Sequence, residues 1–255
     1  INSVKKEIFN NCKRMNLDQS DLKGKIIMNV GSGREALGLM QFNPKKIYHY
    51  DVSHANIEAF RKILVAKNLE EYIVSKQLDL SADKLPSSTF DFIYLHGIIQ
   101  HVSDVSKAMQ NLTNSLRENG FMWFYFYRPG SLAVFLGSLQ RFLLKETDIN
   151  FFREFLKNNC SYEFADGILD DCFVPNRQLF YPRDYIKFLE NNRSENRDKF
   201  ITDIIKLTGE AGDRFFGEGK GGYEYMIDTK KNIILRKNII TRSDDNTRKT
   251  VCQPN

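Results

Sequence analysis

The chain has little with which to build a metal centre or a covalent framework. Its 255 residues hold four cysteines and four histidines, and Cys12, Cys160, Cys172 and Cys252 form no C-x-x-C pair. Structural zinc draws its ligands from closely spaced pairs of these two residue types, so no metal site is expected. Four scattered cysteines suit reduced thiols and a cytoplasmic setting. No run approaches the roughly 20 apolar residues of a membrane-spanning helix, so stable membrane insertion is not expected. The sequence also lacks internal repeats and low-complexity blocks.

What is present is an ordinary globular composition, 42% hydrophobic and 27% charged, in a length that suits one large domain or a core with an elaboration. The formal charge of +5 hints at an anionic partner. Its location removes the hint. From Thr229 onward seven basic residues (Lys230, Lys231, Arg236, Lys237, Arg242, Arg248, Lys249) face Asp244 and Asp245, so the whole excess lies in a polar tail. Such tails are commonly solvated, and no nucleic-acid partner is expected.

The hydrophobic pattern switches repeatedly between helical and strand periods. Val4, Ile8, Cys12 and Met15 predict a leading helix over 3–17. Strands are predicted at Lys25–Val30, Lys46–Tyr50, Tyr72–Leu78, Phe90–Leu95 and Phe121–Tyr127. Helices lie between them, one capped by Ser53 and carrying Ile57, Phe60 and Leu64, another from Ser103 to Arg117 ended by Asn119-Gly120. This order predicts an α/β, Rossmann-like doubly wound and mostly parallel sheet. After Pro129-Gly130 the alternation stops. Ser131–Leu144, Ile149–Asn158, Tyr181–Asn191 and Lys199–Phe216 read as helical, and Tyr223–Asp228 with Ile233–Arg236 as a closing antiparallel hairpin. The expected organisation is an N-terminal helix (1–21), a nucleotide-binding core (22–129), a helical insertion or lid (130–216), C-terminal strands (217–240) and a polar tail (241–255). The apolar segment Ser131–Leu144 is expected as a buried lid helix, ahead of a substrate channel, with membrane contact third.

Ligands of such sheets sit beyond the carboxyl ends of the strands. Gly31, Asp51, Asp79, His96 and Arg128 all fall at or just past those ends. The segment "NVGSGREA" (Asn29–Ala36) supplies glycines that tolerate positive φ and close ligand approach, then the start of a helix. By itself it fits the pyrophosphate of a dinucleotide and the methionine end of S-adenosylmethionine equally. Asp51, 20 residues after Gly31, suits a ribose in either case. Asp79 adds a second acid, placed to accept from an adenine amine. The paired acids Asp170-Asp171 read as solvated loop residues.

The later residues separate the alternatives. Leu85-Pro86, Phe90-Asp91, Gln100-His101-Val102, Asp104, Ala108 and Asn119-Gly120 follow in the order of the "LPF…FD…HV-D…AL…GG" pattern. From Leu22 to Tyr127 the chain resembles the class I S-adenosylmethionine-dependent methyltransferases, particularly the small-molecule branch that includes ubiquinone-biosynthesis-type enzymes. The resemblance implies S-adenosylmethionine as cofactor, with Asn29, Gly31 and Gly33 at its methionine portion, Asp51 and Val52 at the ribose, Asp79 and Leu80 at the adenine, and His96 near the sulfonium. It also implies a small-molecule acceptor, methylated at oxygen with His101 as base. Tyr127, Arg128 and Tyr181 would touch the acceptor, while His49 and His54 are expected at the surface or on the ribose side. Two positions depart from the pattern: Asn29 replaces the usual acid and Glu35 the usual third glycine. They motivate a rival reading as a noncatalytic methyltransferase-like scaffold. A nicotinamide-dependent oxidoreductase is the weaker rival, since it gives no reason for Asp79 or the "FD…QHV" series.

Overall fold

The computed structural model describes residues 2–14, 17–127, 132–179, 205–208 and 222–228. Its centre is a seven-stranded sheet ordered β3-β2-β1-β4-β5-β7-β6. β1 (Ile26–Val30), β2 (Lys46–Asp51), β3 (Ile73–Gln77), β4 (Phe90–His96) and β5 (Leu116–Tyr127) run parallel. β7 (Gly222–Asp228) and β6 (Ile205–Thr208) extend that sheet antiparallel. The chain leaves β1 toward β2 and β3, then returns to the other side of β1 as β4. That reversal opens a crevice beyond the carboxyl ends of β1 and β4, where ligands of such sheets bind.

The central strands are apolar on both faces because helices cover both. Ile27, Met28, Phe92, Ile93, Tyr94, Leu95, Met122, Trp123 and Phe124 are all fully buried. This is the near-continuous hydrophobic pattern of a two-sided parallel sheet. α4 (His54–Ala66) turns Ile57, Phe60 and Leu64 inward and is capped by Ser53, whose hydroxyl accepts from the Asn56 amide. α5 (Val105–Ser115) is capped by Asp104 and buries Val105, Met109 and Leu112. α1 (Asn2–Arg14) brings Val4, Ile8, Asn11 and Cys12 onto the sheet's rim and packs on α3 (Arg34–Leu39). A single turn, α2 (Gln19–Leu22), is closed by a capping box between Asp18 and Asp21.

Asp91 explains the "FD" pair in structural terms. Its carboxylate accepts from the Ile26 amide at 2.7 Å and pairs with Arg117 at 3.3 Å, tying the first residue of β1 to the start of β5. The fold departs from expectation nearby. α5 stops at Ser115, and Asn119-Gly120 lie inside β5 rather than ending the helix. Phe90 pairs with Leu116 but Phe92 with Phe121, so the strand bulges between them. A Cβ at Gly120 would stand 2.9 Å from the Phe90 carbonyl oxygen, so the bulge admits only glycine without a shift.

The helical layer differs more. α6 (Leu132–Leu144), α7 (Ile149–Asn159) and α8 (Tyr162–Phe173) follow the core, and Asp170-Asp171 belong to the last turn of α8 rather than to a loop. α6 is not buried: Phe135, Leu136, Leu139, Phe142 and Leu143 are exposed, and among its described inward residues Val134 is buried. Residues Ile205–Thr208 form a strand where a helix over Lys199–Phe216 was expected. Ile205 and Leu207 alternate with Lys206 and Thr208, a period-two pattern too short to compete with the helical reading of its surroundings. The expected second hairpin strand, Ile233–Arg236, and the helix opening at Tyr181 lie outside the described residues.

Candidate functional site

The glycine turn is held from beneath by a histidine. His49, in β2, is fully buried, with Nε2 at 2.6 Å from the Gly31 carbonyl oxygen and Nδ1 at 2.9 Å from Ser75 Oγ. A carbonyl only accepts, so Nε2 carries the proton and Nδ1 accepts from the serine hydroxyl. Burial disfavours the charged ring and lowers its pKa, against the hydrogen bond to Gly31 and the charges of Asp51 and Glu35. The expectation of a surface or ribose-side His49 is therefore corrected. His54, by contrast, is exposed at the start of α4.

Gly31 has φ +126° and Gly33 φ +79°. A Cβ on Gly33 would lie 2.6 Å from the Phe60 ring, which in turn packs on His49 at 4.5 Å between centroids. The turn thus approaches its support as closely as a bare backbone allows.

The strand-end acids occupy the expected rim, each with a turn-forming duty. Asp51 accepts from the Ser53 amide at 2.7 Å and from Asn56 Nδ2 at 3.1 Å. Asp79 accepts from the Ser81 amide at 2.7 Å and the Ala82 amide at 3.3 Å. A carboxylate offers about four acceptor positions, so these bonds leave room for a ligand's hydroxyl or amine. Asn29 is fully buried beneath the turn. Its Nδ2 donates to the Tyr94 carbonyl at 3.3 Å, while its Oδ1 has no hydrogen-bond partner.

His96 ends β4 between two carboxylates, 3.8 Å from Glu35 and 3.5 Å from Glu7 of α1. Its ring packs against Tyr125 at 5.1 Å and Trp123 at 5.8 Å. Glu35 also accepts from Ser32 Oγ at 3.2 Å. Burial opposes its ionisation, but the hydrogen bond and charge of His96, helped by its own amide and Ser32, hold the carboxyl below its ordinary pKa.

Beyond Gly97 the chain makes a turn, Ile99–His101, that places His101 over the crevice. His101 Nδ1 stands 2.8 Å from the Asn176 carbonyl oxygen and so carries the proton; Nε2 is the lone-pair nitrogen, 3.3 Å from the Gln100 amide nitrogen. That amide also donates to the Gly97 carbonyl at 2.7 Å. Gln178 ties the segment Val174–Gln178, which carries Asn176, down onto this turn, its backbone amide donating to the Gln100 carbonyl at 2.7 Å and its side chain to the carbonyls of Val102 and Ser103. Arg141 fastens α6 to the segment's beginning through the carbonyls of Cys172, Val174 and Pro175. None of these long-range partners carries a sequence signal, since backbone carbonyls accept whatever the residue.

Within this framework lies a cavity of about 840 Å³. Gly31, Asp51, Val52, Asp79, Leu80, His96 and His101 are brought together in it, with Glu35, Tyr125 and Arg177 added. Asn29 lies behind its wall. Tyr127 is the last residue of β5, paired with Gly222, whereas Arg128 and Tyr181 lie outside the described residues. Among the described residues no cluster of histidine, cysteine or acidic side chains could hold a metal, and no helix is long and apolar enough to cross a membrane.

Comparison with known proteins agrees with this geometry. Residues 28–124 match the methyltransferase domain family. A tRNA U34 carboxymethyltransferase from Campylobacter lari is 27% identical over 107 residues, 40% of this chain and 35% of that protein. The chain thus spans about a third of the length of this curated relative. The fold is shared with an S-adenosylmethionine-dependent methyltransferase structure from Methanococcus maripaludis (16% identity, TM-score 0.51, covering 90% of this chain and 84% of that one). It is also shared with the CurJ carbon methyltransferase (12% identity, TM-score 0.50, covering 82% and 50%). S-adenosylmethionine fits the site: Gly31 borders the cavity, and the carboxylates of Glu35, Asp51 and Asp79 line it toward both ends of the crevice. Residues 28–124 therefore match the methyltransferase domain family, on a fold shared with S-adenosylmethionine-dependent methyltransferases.

Proposed function

We propose that the chain transfers a methyl group to a small-molecule acceptor, at a hydroxyl oxygen, with His101 as general base. The observation that carries this reading is the single cavity that joins the glycine turn and strand-end acids to a histidine whose lone-pair nitrogen is defined. When bound, S-adenosylmethionine supplies a methyl group already activated on a sulfonium. The chain's task is then alignment and, for a hydroxyl acceptor, removal of one proton. Asp51 and Val52 would hold the ribose, Asp79 and Leu80 the adenine, and the Gly31–Gly33 backbone with His96 the methionine portion. His101 Nε2 would accept the acceptor's proton, with the Asn176 carbonyl steadying the imidazolium that results. The segment 174–178 and the helical layer would exclude water, and Tyr127, Arg128 and Tyr181 would contribute to the acceptor side. The reading keeps 22–129 as the core and 130–216 as its cover.

Calorimetric titration with S-adenosylmethionine, S-adenosylhomocysteine and NADH tests the cofactor half. Binding of the two sulfur ligands, lost in Asp51→Ala, is the expected result. Binding of none would favour a noncatalytic scaffold. For the base, His101→Ala should keep cofactor affinity and slow methylation of a hydroxyl acceptor by about 10²–10⁴-fold. An undiminished rate would remove His101 from the chemistry. Methyl incorporation into tRNA, prompted by the relative's name, is the comparison that would redirect the acceptor class.

A further inference from the structure

The carboxylate of Glu35 has a place and a setting that turn formation does not require. It enters the cavity beside the Gly31 backbone, held by Ser32 Oγ at 3.2 Å and facing His96 at 3.8 Å. Three carboxylates line this cavity, and Asp51 and Asp79 stand at the ends of β2 and β3. Glu35 alone among them stands on the β1–β4 side. β2 and β4 flank β1, so at about 4.8 Å per strand the two ends of the crevice lie on the order of 10 Å apart. The usual acid before the glycine turn is here the amide Asn29, neutral and fully buried behind the wall.

S-adenosylmethionine carries a net positive charge at its methionine end, a sulfonium and an α-ammonium against one α-carboxylate, and hydroxyls at its ribose. A carboxylate that lines the cavity at its glycine-turn end, as Glu35 does and Glu7 does not, complements the former as Asp51 complements the latter. Resting on the cofactor reading above, we propose that Glu35 is the ammonium receptor of the cofactor site, supplying the charge that Asn29 lacks. Its ionised form is the one this setting favours. Ser32 and His96 are then positioning residues that aim its oxygens.

The test separates the ammonium from the rest of the ligand. S-adenosylhomocysteine carries the amino-acid portion, and 5′-methylthioadenosine lacks it. Glu35→Gln should weaken S-adenosylhomocysteine at least about tenfold by calorimetry and leave 5′-methylthioadenosine unchanged, as expected for loss of a charged hydrogen bond. In the unsubstituted protein, the desamino analogue of S-adenosylhomocysteine should show the same weakening, which keeps the test independent of the variant's folding. Unchanged affinity for S-adenosylhomocysteine in Glu35→Gln would overturn the proposal. So would equal weakening of both ligands, which would assign Glu35 to shaping the turn. Failure of the unsubstituted protein to bind any of these nucleosides would overturn the cofactor reading itself.

Discussion

Gly33→Ala isolates the physical demand of the cofactor turn. An alanine at φ +79° costs about 1–2 kcal/mol for the left-handed backbone alone. Its methyl group would also stand 2.6 Å from a carbon of the Phe60 ring, inside any real contact. Phe60 cannot swing away cheaply, because it is buried and packed against His49. Overpacking of this kind adds about 1–3 kcal/mol, so the whole change should cost about 2–5 kcal/mol. Phe60→Ala alone, which removes every ring atom in that contact, should cost about 3–5 kcal/mol. In the double variant the clash is relieved and the backbone strain remains, so the two costs should fall short of additivity by about 1–3 kcal/mol. Urea denaturation of the four proteins measures this, and S-adenosylhomocysteine titration should show weakened binding wherever Gly33 is replaced. Strict additivity, or a cost below about 1 kcal/mol for Gly33→Ala, would refute the close approach of turn and ring.

Two further outcomes follow from the buried polar groups. His49 has a pKa depressed below its ordinary 6.5, so the unfolded chain takes up its proton first as pH falls. Its contribution to stability is complete above 6.5 and is lost as pH drops from 6.5 toward the folded value; His49→Gln should abolish that part of the decline in urea midpoints between pH 7.5 and 5.5, and an unaltered decline would rule it out. Asn29→Asp restores the family's usual acid but sets a carboxylate oxygen against the Tyr94 carbonyl that Nδ2 now satisfies. It should destabilise by about 1–3 kcal/mol relative to the unsubstituted protein at pH 8, less at pH 5 where the buried acid holds its proton, and a relative loss larger at pH 5 than at pH 8 would contradict the assignment.

Much of the core was legible because its information is local. Ser53 announces a helix start, and Asp51 and Asp79 follow strand-like runs whose length fixes where a strand must end. The site beyond these strand ends was less so. His101 is held by a carbonyl 75 residues away, and Glu35 by a histidine on another strand. Asn119-Gly120 resembles a helix stop, yet the same glycine serves a bulge that only the register of β4 against β5 reveals. His49 had the spacing of an exposed flank to Asp51, because inward and outward faces are interchangeable in a strand covered on both sides. The apolar run of α6 suggested burial, but a helix that packs chiefly on α8 leaves the rest of its circumference open.

The segment from Val174 to Gln178 is fastened to the turn below it by hydrogen bonds, including the one that orients His101. A latch made of such bonds has a chemical memory that an apolar plug lacks. While Asn176 is seated its carbonyl holds the proton on Nδ1, and under the proposed function that leaves Nε2 as the basic nitrogen. Under that proposal the segment that covers the crevice would also set which imidazole nitrogen is basic, so cover and tautomer share one set of hydrogen bonds.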